Sequence, residues 1–215
     1  MIAKFWLGPL TALALSCGCA PAAEVDIAVA DAHGHPLADA VVELGPADNA
    51  TVPGMKLPGE NVIDQRHETF LPLVTLIRAG GHVIFTNNDK TMHQVYSFSD
   101  IKQFAFEIDE GQRSQPVVFD KPGVAAIGCN IHDQMITYVY VSAKPYAALS
   151  NDAGRATIQS VDDGRYRGTV WHPRLPPGTP PVTFDIVVSG TAARTAVALP
   201  VTVAARRKPV HMQMY

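Results

Sequence analysis

Cysteine is scarce in this 215-residue chain, with three in all, and two of them, Cys17 and Cys19, fall within the first twenty residues. The rest of the sequence holds only Cys129, which excludes intrachain disulfides there as a framework for the fold. An unpaired thiol in an oxidising compartment is prone to oxidation and exchange unless it is deeply buried, paired between chains or held by a metal. The compartment of the protein therefore decides how Cys129 is interpreted.

Basic side chains are also few. The chain has 17 lysines and arginines against 20 aspartates and glutamates, and its formal net charge is −3. Because nucleic-acid binding depends mainly on basic side chains that contact phosphates, we expect no nucleic-acid partner. The Gly-x-Ser-x-Gly, His-Glu-x-x-His and phosphate-loop motifs are missing too, so the sequence indicates none of the enzyme classes that carry them.

Long apolar runs are missing as well, apart from one near the N-terminus. After Lys4, an apolar run covers residues 5–15 and small residues follow as far as Ala23, a run too short to span a bilayer. This layout is typical of a secretory signal peptide, and we expect residues 1–22 to be removed on export to the periplasm. The exported chain is expected to have no transmembrane span, and a lipid anchor at Cys17 is the alternative to a soluble form.

Glycine and proline are frequent by contrast, and they mark turns along the whole chain. The 16 glycines and 17 prolines occur in turn signals such as "RAGG", "DKPG" and "PPGTPP". Between them lie short apolar or alternating runs with little helical periodicity, and only "FSDIKQF" suggests a helical turn. This pattern predicts an all-β sandwich or Greek-key barrel. The predicted strands are 25–30, 40–44, 73–77, 82–86, 103–108, 124–129, 136–141, 166–171, 182–188 and 195–203.

The segment "IGCNIHDQM", residues 127–135, places a cysteine, a histidine and a methionine at intervals of three, so one tight loop can present three metal donors. His93, after the turn "TNNDK", is the natural fourth donor, because a Greek-key sandwich brings distant loops together. Soft sulfur donors with imidazoles suit a copper ion that alternates between Cu(I) and Cu(II), and the set is His93, Cys129, His132 and Met135. Four protein donors leave no open position for a substrate, so we expect no enzyme. Taken singly, each residue has an ordinary alternative as a loop histidine or a buried apolar side chain.

Residues 60–143 resemble the cupredoxins, the small blue-copper proteins. The resemblance lies in "VTLIRAGGHVIFTNNDKTMHQVYSF" and "VVFDKPGVAAIGCNIHDQMITYVYV", whose strands, turns and donors follow the cupredoxin order. The Cys-x2-His-x2-Met spacing is similar to that of amicyanin, and the surroundings resemble periplasmic proteins of the methylamine-utilization or plastocyanin-like type. The resemblance implies a Greek-key β-sandwich with one type 1 copper bound by His93, Cys129, His132 and Met135. It also implies single-electron exchange with a periplasmic redox protein, either a dehydrogenase or a cytochrome.

Two asparagines are candidates for supporting roles around these donors. Asn88 lies in the turn before His93, where its side chain could bond across to the ligand loop, although a simple turn-forming role is the alternative. Asn130 follows Cys129 and could hold its sulfur through backbone or side-chain donors.

The chain is longer at both ends than a compact cupredoxin needs. Residues 24–59 open with "VDIAVADAHGHPLADAVVEL" and residues 144–215 contain "NDAGRATIQSVDDGRYRGTVWHP", which resemble parts of a transthyretin-like, carboxypeptidase-regulatory type of β-sandwich. One interpretation is a second small sandwich into which the cupredoxin is inserted. The other is that residues 24–45 add strands to the cupredoxin and an independent domain begins near Lys144.

Two further functions compete with electron transfer. The first is a copper-binding or copper-delivery protein, which should release Cu(I) to a competitor that an electron carrier would resist. Alternatively, the outer sandwich is a binding module that docks a partner, and that docking should then survive loss of Cys129.

Overall fold

The computed structural model describes residues 23–52, 54, 57 and 61–202, and within them every regular element is a β-strand. The all-β prediction is confirmed. No helix in these ranges is long and apolar enough to cross a lipid bilayer. The predicted leader at 1–22, with Cys17, lies outside the described residues.

The strands are β1 Ala23–Ala30, β2 Val41–Pro46, β3 Asn61–Gln65, β4 Phe70–Leu71, β5 Val74–Arg78, β6 Gly81–Asn87, β7 His93–Ser99, β8 Lys102–Ile108, β9 Val117–Phe119, β10 Gly123–Cys129, β11 Ile136–Ser142, β12 Tyr146–Leu149, β13 Arg155–Val161, β14 Gly164–Trp171, β15 Val182–Val188 and β16 Ala192–Ala198.

Strands β3 to β11 form two facing sheets, which we call the central sandwich. One sheet has the order β5-β11-β10-β7-β8 and the other the order β4-β3-β6-β9. Alternate residues of each strand point between the sheets, as in β7, where His93, Val95 and Ser97 are buried while their neighbours are partly or fully exposed. The shared core includes Ile63, Phe85, Phe119, Ile127 and Val139.

The remaining strands form a second pair of sheets, which we call the flanking sandwich. Its sheets have the orders β13-β1-β16 and β12-β2-β14-β15, so strands from both ends of the chain meet in it. Strand β1 pairs with β13 and β16, and β2 pairs with β12 and β14. The interpretation in which residues 24–45 extend the cupredoxin sheets is therefore wrong, because these strands make their ladder hydrogen bonds with the C-terminal strands instead.

The chain leaves the flanking sandwich after β2, forms the central sandwich, and returns to the flanking sandwich at β12, the neighbour of β2. Leu44 of β2 lies opposite Tyr146 of β12 in an antiparallel pair, so the whole segment between them occupies the loop of a β2–β12 hairpin. An apolar cluster that includes Val41, Leu76, Tyr140 and Ala147 joins the two sandwiches.

The helical turn suggested by "FSDIKQF" is wrong. These residues end β7 and begin β8, and only two residues of turn separate the strands. Antiparallel pairing from His93↔Ile108 to Ser99↔Lys102 makes this segment a tight hairpin. Strand β7 itself was not predicted, and His93, expected in a loop, is its first residue.

Candidate metal centre

Two neighbouring strands of the five-stranded sheet carry the first two predicted donors. In β10 the inward side chains are Ala125, Ile127 and Cys129, so alternation points the thiol of its last residue into the core. Cys129 lies opposite Val95 of β7, and His93 is two residues away from Val95 on the same inward face. A diagonal pair of this kind is within reach of long side chains, so the strand register alone brings the imidazole to the thiol.

The ligand loop between β10 and β11 supplies the third donor. The ligand atoms of His93, Cys129 and His132 all lie within 4.8 Å of one another, and this is the one such group of three or more His, Cys, Asp or Glu side chains among the described residues. The Nδ1 atom of His93 lies 3.4 Å from the Sγ atom of Cys129, and the two imidazole rings have centroids 5.2 Å apart. The structure therefore brings together residues that are up to 39 positions apart in sequence.

The outer nitrogens of both imidazoles face carboxylates. The Nε2 atom of His93 donates to Asp89 over 3.0 Å, and the Nε2 atom of His132 lies 3.5 Å from a carboxylate oxygen of Glu68. In contrast, the Nδ1 atom of His132 is buried and has no hydrogen-bond partner. A buried polar atom without a partner is unfavourable unless it binds something. Two imidazole nitrogens and a thiol that converge in this way fit a metal ion that accepts nitrogen and sulfur ligands, such as copper or zinc.

Met135 ends the ligand loop and is buried in the central sandwich, with 2% of its surface exposed. Its backbone N–H donates to the carbonyl of His132 over 3.0 Å, which closes a tight turn between these two predicted donors. Cys129 is also 2% exposed and His93 is fully buried, whereas the side chain of His132 is 24% exposed. Three of the four predicted donors are thus shielded from solvent, and the candidate site is accessible to solvent only at His132 among them.

Asp89 organises the side of the site that carries His93. Its carboxylate accepts hydrogen bonds from the backbone N–H groups of His67 and Glu68 as well as from the His93 ring. Burial by itself would raise the pKa of Asp89, but these hydrogen bonds to the charged form outweigh it and lower the pKa. A carboxylate that holds the outer nitrogen of a ligand histidine fixes the ring and its tautomer. We did not predict this role, although Asp89 lies four residues before His93 in the same turn.

The supporting role expected for Asn88 falls to its neighbour. The side-chain amide of Asn88 donates to Asp64 over 2.6 Å at an exposed position, so it does not bond to the ligand loop. Asn87 is buried instead, and its amide donates to the carbonyls of Thr91 and Ile108 over 2.8 and 2.9 Å. Its side-chain oxygen accepts the N–H of Asp89, so Asn87 braces the turn that precedes His93.

Asn130 has a different contact from the one expected. Neither its backbone N–H nor its side chain donates to the sulfur of Cys129, and both donate to Gln94, the residue that follows His93. The distances are 3.0 Å to the carbonyl of Gln94 and 2.7 Å to its side-chain oxygen. Asn130 therefore ties the ligand loop to the start of β7, which is the cross-loop connection that we had expected of Asn88.

No protein-family model and no curated protein matches this chain. Among solved structures, a purple cupredoxin from Nitrosopumilus maritimus is 25% identical, and the match covers 38% of this chain and 99% of that one with a TM-score of 0.35. Amicyanin from Paracoccus versutus is 21% identical, with coverage of 46% and 98% and a TM-score of 0.35. A copper-containing nitrite reductase from Thermus scotoductus SA-01 is 24% identical, with coverage of 43% and 25% and a TM-score of 0.37. The neighbours thus include cupredoxins, which match this chain at low identity and over less than half of its length.

Proposed function

We propose that this protein is a type 1 copper protein that carries single electrons. The observation that supports this most directly is that the ligand atoms of His93, Cys129 and His132 all lie within 4.8 Å of one another. The Nδ1 atom of His93 faces the Sγ atom of Cys129, and the buried Nδ1 atom of His132 has no hydrogen-bond partner. Met135, buried at the end of the same loop, would supply a thioether as the fourth donor. Copper bound by two imidazoles, a thiolate and a thioether would supply a one-electron couple. Because of the sequence resemblance, we also propose that the protein is a cupredoxin of the methylamine-utilization type.

The enclosure of the site favours a carrier over an enzyme or a delivery protein. Cys129 and His93 are buried in strands β10 and β7, and four protein donors would leave no position open for a substrate. A delivery protein must transfer its metal to a competing ligand, which is difficult when Cys129 is only 2% exposed. The exposed edge of His132 still gives electrons a short route between the site and a partner.

We further propose that the protein works in the periplasm after removal of residues 1–22, or while anchored there through Cys17. A periplasmic dehydrogenase or cytochrome would act as its electron donor or acceptor. The signal-like leader supports export, and a buried thiol with metal-site geometry is consistent with a single cysteine in an oxidising compartment.

The visible absorption spectrum after addition of Cu(II) tests this proposal. We expect an intense visible band that a mild reductant bleaches and that is missing from Cys129→Ser, because the band requires thiolate–copper bonding. Asn88→Ser is the matched control, since it alters an exposed turn residue whose side chain donates to Asp64. A wild-type protein that binds Cu(II) without such a band would contradict the type 1 assignment. Release of Cu(I) to a chelator of moderate affinity would favour copper delivery instead.

A further inference from the structure

The turn between β3 and β4 has an unusual backbone. Residues His67 and Glu68 form a two-residue hairpin loop, closed by hydrogen bonds between Arg66 and Thr69 over 3.0 and 3.2 Å. Both loop residues have positive φ, 52° and 54°, although neither is glycine. Left-handed backbone is unfavourable for residues with a side chain, and hairpins of this kind usually contain Asn-Gly. Something in the surroundings must therefore hold the turn in place.

Asp89 supplies that hold. Its carboxylate accepts the N–H groups of both strained residues while it also accepts the ring N–H of His93. The same carboxylate therefore connects the buried imidazole to the β3–β4 turn. This connection fixes the backbone of Glu68 next to the exposed imidazole.

The side chain of Glu68 lies beside the one donor that reaches solvent. Its carboxylate is 3.5 Å from the Nε2 atom of His132, which is too long for a good hydrogen bond but close enough for its charge to act on a metal bound by that imidazole. The Glu68 side chain is 69% exposed, so its charge acts on His132 and on any molecule that approaches the same edge.

We propose that Glu68 determines which redox partners the site accepts, by favouring cationic groups at the His132 edge and disfavouring anionic ones. This inference depends on the proposed function, because it concerns the exchange of electrons at that edge. The negative charge would also stabilise the more positive, oxidised state of a metal bound to His132. The effect should be short-ranged, since exposed charges are screened over about 10 Å at ordinary ionic strength.

Two small oxidants of opposite charge test the proposal on the copper-loaded, reduced protein. Cationic tris(phenanthroline)cobalt(III) and anionic hexacyanoferrate(III) are compared by stopped-flow at low salt with wild type and Glu68→Gln, which keeps the shape of the side chain. We expect the ratio of the cationic rate to the anionic rate to fall by about threefold to tenfold in Glu68→Gln and the difference to shrink at high salt. A change in the reduction potential of the copper alters both oxidation rates in the same direction. The ratio of the cationic rate to the anionic rate therefore reports the charge recognition separately.

Asp100→Asn is the matched control. Asp100 is exposed in the β7–β8 turn, at the opposite end of β7 from His93, and the substitution removes the same unit of charge. We expect no change in the rate ratio for this variant. Glu68→Asp, which keeps the charge on a shorter side chain, should lie between wild type and Glu68→Gln. An equal rate ratio in Glu68→Gln and Asp100→Asn would overturn the proposal.

Two equilibrium measurements separate this proposal from the proposed function. In Glu68→Gln the ratio of Cu(I) to Cu(II) affinity should rise by up to about tenfold, which corresponds to ~59 mV for a one-electron couple. Binding of Zn²⁺ to the apoprotein should weaken severalfold in Glu68→Gln and not in Asp100→Asn, and this readout requires no redox chemistry. Absence of the thiolate–copper band from the wild-type protein would contradict the proposed function. Equal Zn²⁺ affinity in all variants would contradict the proposed role of Glu68.

Discussion

At the residue scale, the two adjacent asparagines of the "TNNDK" turn differ sharply in what they contribute. Asn87 is buried and its side chain makes three hydrogen bonds, to Thr91, Ile108 and Asp89, whereas Asn88 is exposed and its side chain contacts Asp64. Loss of a buried hydrogen-bonding side chain leaves its partners without solvent or protein contacts. The stability of the candidate site therefore depends on Asn87 far more than on Asn88.

We predict that Asn87→Ala lowers the free energy of unfolding by about 2–4 kcal/mol, because two carbonyls and one N–H lose their partner. Asn88→Ala should lower it by less than about 1 kcal/mol, because water replaces the exposed contact. Urea denaturation of the two apoproteins measures the difference. Equal effects of the two substitutions would show that Asn87 does not brace the turn before His93.

The burial of Asn87 follows from the alternation of its strand. In β6 the inward residues are Val83 and Phe85, and the same alternation makes Asn87 inward-facing. The proximity of His93, Cys129 and His132 could be predicted because cysteine is rare and the ligand spacing is specific. The contacts of Asp89 and Glu68 could not, because they depend on a strained turn from a strand that is distant in sequence.

At the scale of the elements, the end of β14 is held by a histidine that must stay neutral. His172 directly follows β14 and is buried, and its Nε2–H donates to the carbonyl of Ala38 over 3.1 Å. Its Nδ1 atom accepts the N–H of Arg174 over 3.1 Å, so a second ring proton would face another donor. Burial is the largest cause that lowers the pKa of His172, and the charge of Arg174 lowers it further, against the opposing effect of Ala38.

We predict that His172 makes the protein less stable as the pH falls. Its pKa is about 6.5 when unfolded and lower when folded, so below pH 6.5 the unfolded state binds more protons. Its contribution is fully present above that pH and is lost progressively down to the folded pKa. Urea midpoints between pH 7.5 and 4.5 should fall less steeply for His172→Gln than for wild type. Parallel slopes in the two proteins would contradict the prediction.

Strand prediction succeeded for β10 and β11 and failed for β7, the strand that pairs with β10. Strands β10 and β11 are rich in valine, isoleucine and alanine, and their predicted bounds agree with the structure within a residue. Strand β7, "HQVYSFS", was missed because its inward positions include His93 and Ser97. Ser97 is buried because its hydroxyl donates to the carbonyl of Lys102 across the hairpin, a contact that no local pattern reveals.

At the scale of the whole molecule, a polar network joins the two sandwiches in addition to their apolar contact. Glu43 of β2 is buried, and its carboxylate accepts hydrogen bonds from the hydroxyls of Tyr140, Ser142 and Thr169. Tyr140 and Ser142 belong to the central sandwich, whereas Thr169 belongs to the flanking one. Burial, with the adjacent Glu43 charge, raises the pKa of Tyr140, so its hydroxyl stays protonated and continues to donate.

The sequence indicated that both chain ends resemble one sandwich, but it did not specify which strands pair. The pairing is set by contacts between residues more than a hundred positions apart, such as Leu44↔Tyr146 and Ala28↔Arg155. Local alternation identifies a strand and its inward face, yet many partners satisfy the same alternation. The pairing of β2 with β12 and of β1 with β13 therefore had to come from the structure.

We predict that the flanking sandwich folds when residues 45–145 are replaced by Asn-Gly. Leu44 and Tyr146 would then flank a two-residue loop and keep their pairing, and the buried residues of its own core, including Ile27, Ile158 and Val170, lie outside the replaced segment, which removes only the partly buried Val52 from that core. Circular dichroism, NMR dispersion and a cooperative urea transition measure the outcome. A longer replacement of residues 46–149 is the control, since β2 then loses β12 and should not fold stably. If the shorter replacement is also unfolded, the covering of Val41, Ala147 and Trp171 by the central sandwich is required, and the two sandwiches form one folding unit.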